Sequence, residues 1–125
     1  MKYLLDTHVL LWWLDDHSPL SSAARHTINY ERNDITVSVA SLWEIAIKKN
    51  AGKLTAPDDV LVILEQSRME ILPINAHHAL AAGALPNLHP DPFDRMIVAQ
   101  AMLGDLIIMT HDKMIQAYPA PCLMV

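Results

Sequence analysis

The chain opens Lys2-Tyr3-Leu4-Leu5-Asp6-Thr7-His8-Val9-Leu10-Leu11-Trp12-Trp13-Leu14. Lys2 to Leu5 reads as a short buried strand stopped by Asp6-Thr7, and His8 to Leu14 continues as an apolar helix that ends near Asp15-Asp16. A strand that runs straight into a helix sets the rhythm for the rest. Ser21 and Ser22 are caps for a second helix through about Arg32, and Asn33-Asp34 turns the chain into the β-branched strand Ile35 to Val39. Ala40 to about Asn50 is helical by composition, with Gly52 as its terminator. Pro57-Asp58-Asp59 opens a helix through about Ser67, with proline placed where a missing N–H costs nothing. Glu70 to Ile74 is the third strand and Ala76 to Ala84 a short alanine-rich helix. After a proline-rich loop from Leu85 to Pro92, the pattern is helical from Asp94 to Leu103, a strand from Leu106 to Met109, a turn at Thr110-His111-Asp112, a helical turn, and a last strand from Cys122 to Val125.

Short apolar strands alternating with helices indicate an α/β fold whose central sheet, of about five strands, is mainly parallel and covered on both faces. The length of 125 residues supports a single domain spanning 1–125, and no repeat, linker or low-complexity tract divides it. In such sheets ligands bind outside the carboxyl ends of the strands, where the strand order reverses. That edge is where chemistry is expected.

Composition removes several classes. The three glycines, Gly52, Gly83 and Gly104, are too far apart for either glycine-rich phosphate loop. The longest apolar stretches, such as Val9 to Leu14, fall far short of the roughly 20 residues that cross a bilayer, and the N-terminus lacks a small-residue cleavage site. The chain therefore reads as soluble and unsecreted. A single cysteine, Cys122, allows no internal disulfide and no cysteine-based zinc cage, in keeping with a reducing cytoplasm. The formal charge of −5 argues against nucleic-acid binding through a basic surface, but not against binding through cations held by clustered acids.

The positions of the acids therefore matter more than their number. Asp6 ends the first strand, and Asp112 follows the Leu106 strand by three residues, which places both on the carboxyl edge. Glu44 lies five residues past Val39, in the first turns of a helix that starts at that edge if the strand is parallel. Asp94 starts the helix leading into the Leu106 strand, so its placement depends on the proline-rich loop. Each has an ordinary alternative: Asp6 and Asp94 as helix N-caps, Glu44 as the partner of Lys48 four residues on, Asp112 in an Asx turn. Jointly these alternatives weaken, because carboxylates gathered on one edge repel and raise one another's pKa unless a cation is present. Mg²⁺ or Mn²⁺ suits carboxylate oxygens and water, and the chemistry such ions serve here is hydrolysis of a phosphodiester.

Four stretches together carry a resemblance: Tyr3-Leu4-Leu5-Asp6-Thr7-His8-Val9-Leu10-Leu11-Trp12, Val39-Ala40-Ser41-Leu42-Trp43-Glu44-Ile45, Asp91-Pro92-Phe93-Asp94-Arg95-Met96-Ile97-Val98-Ala99-Gln100-Ala101, and Thr110-His111-Asp112. The chain resembles a PIN domain of the VapC toxin type, in order and over essentially its whole length. The resemblance implies a three-layer α/β/α sandwich and a Mg²⁺- or Mn²⁺-dependent endoribonuclease of a type II toxin–antitoxin pair. It puts Asp6, Glu44, Asp94 and Asp112 on the family's four acidic, metal-binding positions, with Thr110 where members often carry a hydroxyl. It further implies an RNA substrate, a homodimer and a small antitoxin partner. His8 stands where many members carry Ser, Thr or Asn, and Asp91, three residues before Asp94, is assigned to the turn.

Among the remaining candidates, His77-His78 lack the spacing of a helical zinc motif and are assigned surface or capping roles. Trp12, Trp13 and Trp43 are of the type that stacks on unpaired bases, but Trp12 and Trp43 lie in apolar helical segments, where core or dimer packing is expected. Ser38 and Ser41 sit in no G-x-S-x-G elbow. Two rival functions remain: a phosphatase with Asp6 as nucleophile, disfavoured because His8 occupies the place of its second aspartate, and a catalytically silent RNA- or protein-binding module on the same scaffold.

Overall fold

The computed structural model describes residues 1–125. Its strands are β1 (Lys2–Leu5), β2 (Asp34–Ser38), β3 (Glu70–Leu72), β4 (Ile107–Thr110) and β5 (Cys122–Met124). They form one sheet in the order β3-β2-β1-β4-β5, and every pairing is parallel. The helices are α1 (Thr7–Leu14), α2 (Ser22–Asn29), α3 (Val39–Asn50), α4 (Val60–Gln66), α5 (Ala76–Ala84), α6 (Pro92–Gly104) and α7 (Lys113–Gln116). The register sets Leu4 beside Thr36 and Ile108, and Leu5 beside Val37 and Met109.

Alternation along β1 divides the core into two layers, since successive strand side chains point to opposite faces. Tyr3 and Leu5 join Ile35, Val37 and Met109 in a cluster covered by Val9 and Leu10 of α1, Ala24 and Ile28 of α2, Ile45 of α3 and Leu64 of α4. Leu4 and Ile108 face the other way, onto Ile97, Val98 and Ala101 of α6 and Ile115 of α7. The result is the three-layer α/β/α sandwich expected from the sequence. Successive connections place β2 and then β3 to one side of β1, after which the chain returns to lay β4 on the other side. The strand order therefore reverses between β1 and β4, and the crevice at their carboxyl ends is the topological switch point.

Several boundaries differ from the sequence reading, each for a local reason. The second helix stops at Asn29 rather than near Arg32, because the Asn33 side chain donates to Thr27 O and its N–H to Tyr30 O, closing a turn. Val39 belongs to α3 rather than β2, since Ser38 Oγ accepts from Ala40 N and caps the helix there. Residues 58–59 form a turn before α4, with Pro57 ahead of it, rather than its first residues. β3 ends at Leu72, where Pro73 has no N–H for a ladder. Gly52 follows α3 at φ +71°, in the left-handed region where a glycine costs least. No helix is long and apolar enough to cross a membrane.

Candidate metal centre

Asp6 leaves the end of β1 as the N-cap of α1. One carboxylate oxygen accepts from Val9 N at 2.8 Å, the other from the Thr110 hydroxyl at the end of β4. The Asp6 N–H itself bonds Met109 O at 3.0 Å, which ties the two strand ends together. The side chain is nearly inaccessible, at 3% exposure. Burial raises its pKa, and the Thr110 and Val9 hydrogen bonds offset only part of that rise.

Thr110 is fully buried and acts in both directions: its hydroxyl donates to Asp6 and accepts the Asp112 N–H at 2.9 Å. Asp112 in turn caps α7, with Oδ1 accepting from Met114 N at 2.8 Å. Burial works to raise its pKa, but the Met114 N–H and His89 outweigh that and hold it below the ordinary value.

Asp91, not Asp94, is the N-cap of α6. Its Oδ1 accepts from Phe93 N at 2.8 Å and from Asp94 N at 3.4 Å, with Pro92 in the first helical position. This corrects the expectation that the helix starts at Asp94, and it leaves the Asp94 carboxylate free of capping, at the third residue of the helix. Asp94 carries the largest perturbation in the centre. Its pKa is pushed up to about 7, by burial first, then by the charge of Asp91, with Asp6 and Glu44 adding to the rise and His89 opposing it.

His89 was not singled out by the sequence, and it joins the group. Its ring is buried, and Nε2 lies 2.8 Å from Asp112 Oδ2 and 3.0 Å from Asp94 Oδ2. Nδ1 accepts from Asp91 N at 3.1 Å, so in the neutral ring the proton sits on Nε2 and is directed to the carboxylates. Ligand-type atoms of His89, Asp94 and Asp112 all lie within 4.8 Å of one another. A neighbouring network fixes the loop that carries His89. The Tyr118 hydroxyl donates to Pro86 O at 2.7 Å and accepts from the N–H groups of Leu88 and His89, while Arg95 donates to Ala82 O and Leu85 O at 2.9 Å.

Glu44 stands in α3, buried to 5% exposure. The pair with Lys48 anticipated from the sequence forms, with Nζ 2.5 Å from Oε2, and it raises the Lys48 pKa. It is no solvated surface pair, however, because Glu44 Oε1 is buried with no hydrogen-bond partner. An ionised oxygen in that state is costly, and a bound cation is a natural remedy. The donor set thus fits a hard divalent ion: carboxylate oxygens, no thiolate, and one buried oxygen left over.

The other aromatic candidates fall into place around this edge. Trp43 is 60% exposed, which excludes the core half of the core-or-dimer packing expected of it, and meets Phe93 edge-on at 5.4 Å. Trp12 is half-buried beside His111. His78 completes a capping box with Asn75 at the start of α5, and His77 is exposed. The largest cavity, about 460 Å³, lies at the opposite edge of the sheet, where Asp34, Ile35, Met69 and Glu70 begin β2 and β3, and has no part in the acid cluster.

The fold and this edge define a parallel α/β domain with an acid-lined switch point. A family model described as the PIN domain matches residues 3–121, and the chain belongs to that family. It is 31% identical over 121 residues to Ribonuclease VapC22 of Mycobacterium tuberculosis, covering 94% of this chain and 92% of that protein. The fold is similar to that in the structure of VapBC2 from Rickettsia felis bound to a DNA fragment from its promoter (TM-score 0.69, 19% identity, 99% and 98% of the two chains). It is similar also to DNA-bound VapBC from Salmonella typhimurium (TM-score 0.69, 23% identity, 99% and 98%).

Proposed function

We propose that this chain is a metal-dependent endoribonuclease, the toxin of a type II toxin–antitoxin pair, with Asp6, Glu44, Asp94 and Asp112 holding Mg²⁺ or Mn²⁺ and Thr110 supporting them. The observation that carries the reading is the grouping of His89, Asp94 and Asp112 at the switch point, with Asp6 tied to Asp112 through the Thr110 hydroxyl and the partnerless Glu44 Oε1 in the same electrostatic neighbourhood. Similarity over nearly full length to a ribonuclease supports the choice of RNA.

Within that reading each residue has a task. Asp94 and Asp112 offer oxygens that share only the His89 N–H, and so are available to a cation. Asp6 has both oxygens engaged, by Val9 N and by Thr110, which fixes its orientation and makes it a poor nucleophile for the phosphatase alternative. A bound divalent ion supplies neutralisation of the acids, polarisation of a phosphoryl oxygen and activation of water. Lys48 then supplies positive charge beside the acid group, and the His89 ring an Nε2–H donor within it, where charge on the phosphate must be tolerated.

An antitoxin partner and self-association belong to the same proposal. Trp43 and Ile47 on α3 and Leu61 and Val62 on α4 are exposed, and supply apolar surface of the kind partners cover. The test is incubation of purified, antitoxin-free protein with structured and single-stranded RNAs in Mg²⁺, in Mn²⁺ and in chelator. Cleavage that needs the ion is expected. A folded protein that binds RNA or a partner but cuts nothing in either metal would leave the silent binding module as the better account.

A further inference from the structure

Beside the acids is a cavity of about 230 Å³ lined by Asp6, His8, Trp12, His111 and Asp112. It shares two walls with the proposed metal centre, and its remaining walls are aromatic. The Trp12 and His111 rings lie 5.4 Å apart at 59°, and those of His8 and Trp12 6.4 Å apart at 57°. Tilted in this way, the rings are not stacked in parallel on one another. The wall is also held in place: Trp12 packs against the core cluster, and His111 Nδ1 lies 2.6 Å from the Val125 backbone oxygen. That oxygen only accepts, so Nδ1 is the donor.

We infer that this cavity is a nucleobase subsite, in which the unpaired base next to the scissile phosphate stacks on Trp12 and His111. The inference rests on the ribonuclease reading and adds a place for the base. The volume is below that of pockets for drug-sized ligands, which suits one flat ring rather than a dinucleotide. The chemistry is divided the same way. A phosphate has no lysine or arginine to meet among the lining residues, so the anionic part of a nucleotide belongs over the acids with their ion, and the uncharged base belongs against the aromatic wall. Single-stranded RNA offers splayed bases for such a wall, whereas a duplex does not. The aromatic residues at 8, 12 and 111 thereby acquire a use that core packing leaves unexplained, since His8 and His111 are exposed.

The test is a cycle of protein and substrate changes. Single-stranded oligoribonucleotides, intact or with one abasic nucleotide walked along the chain, are cleaved by wild type and by His111→Ala, with Trp12→Phe as the variant that preserves packing. One abasic position beside the cut is expected to lower kcat/KM by about 10- to 100-fold. His111→Ala should lower it on the intact substrate and add little on that abasic one, while Trp12→Phe retains most activity. Penalties that simply multiply would overturn the subsite and leave the nuclease standing.

Tryptophan fluorescence, titrated with a nucleoside monophosphate, with ribose 5-phosphate and with a short arginine peptide, reads the pocket without any cleavage. Saturable quenching by the nucleotide alone, lost in His111→Ala, supports the subsite even in a protein that cuts no RNA. Response to the arginine peptide alone, or no response to any of the three, would overturn it.

Discussion

Replacing Asp94 by Asn is expected to stabilise the metal-free protein while destroying its metal site. The carboxylate sits at 18% exposure with its pKa raised from 3.8 to about 7. A raised carboxylate pKa means the folded state holds its proton more tightly than the unfolded chain does. The penalty is therefore absent below about pH 4, grows as the pH rises from about 4 to 7, and is complete above that. Three units correspond to a ceiling of about 4 kcal/mol. Asn recovers only part of it, since its oxygen can still accept from His89 Nε2 but its NH₂ needs acceptors of its own, so a gain of about 1–2 kcal/mol is expected. For a domain of this size that is a rise in Tm of roughly 3–10 °C. The assay is thermal unfolding by circular dichroism in chelator at pH 4.5 and pH 8, followed by repetition with Mn²⁺. Stabilisation should appear at pH 8 and shrink at pH 4.5, and the variant should lose most of the response to Mn²⁺. A variant less stable than wild type at pH 8 in chelator, or equally stabilised at both pH values, would refute the burial and repulsion argument for Asp94.

Other consequences follow from the same geometry. Because the ion competes with the proton on Asp94, its apparent affinity should fall by up to about tenfold per unit below pH 7, a dependence that calorimetric titration at pH 6 and pH 8 measures directly. Thr110→Val removes the hydroxyl that donates to Asp6 and accepts from Asp112 N, so it should cost about 1–3 kcal/mol in urea unfolding at pH 8 and push the Asp6 pKa further up; an unchanged midpoint would contradict the bridging role. Tyr118→Phe leaves the N–H groups of Leu88 and His89 without their acceptor, and faster amide exchange through 86–90 with a loss of about 1–2 kcal/mol is expected; protection unchanged in that loop would show that Tyr118 does not hold it.

The parts of this structure legible in the sequence were those decided by neighbours along the chain. The strand–helix passage at Asp6 and the termination of α3 at Gly52 depend on a few adjacent residues and were placed well. The switch point followed from an alternation of strands and helices, and it brought Asp6 and Asp112 to one edge. Asp94 is instructive because the sequence offered two acids three residues apart. Only the cap geometry separates them, Asp91 spending Oδ1 on the N–H groups of Phe93 and Asp94.

Glu44 and His89 show where local reading ends. The spacing of Glu44 and Lys48 is the same for a solvated pair and for a buried one, and burial is decided by the packing of α3 against its neighbours. His89 acquires its orientation from the Asp91 N–H, from a tyrosine 29 residues later and from a carboxylate 23 residues later, none of which leaves a mark on the surrounding loop sequence. Trp43 lies outside the core for a similar reason, since an apolar helix segment need not turn every large side chain inward.

The central claim is that the acids at the switch point hold a divalent cation. The most direct measurement is anomalous diffraction from crystals grown with Mn²⁺, which locates the ion without reference to activity. The account predicts a peak between Asp94 and Asp112 at the carboxyl ends of β1 and β4, within coordination reach of at least one further acid among Asp6 and Glu44. Mn²⁺ seated only on surface histidines such as His77, or a fully occupied crystal form with no peak among these carboxylates, would contradict it.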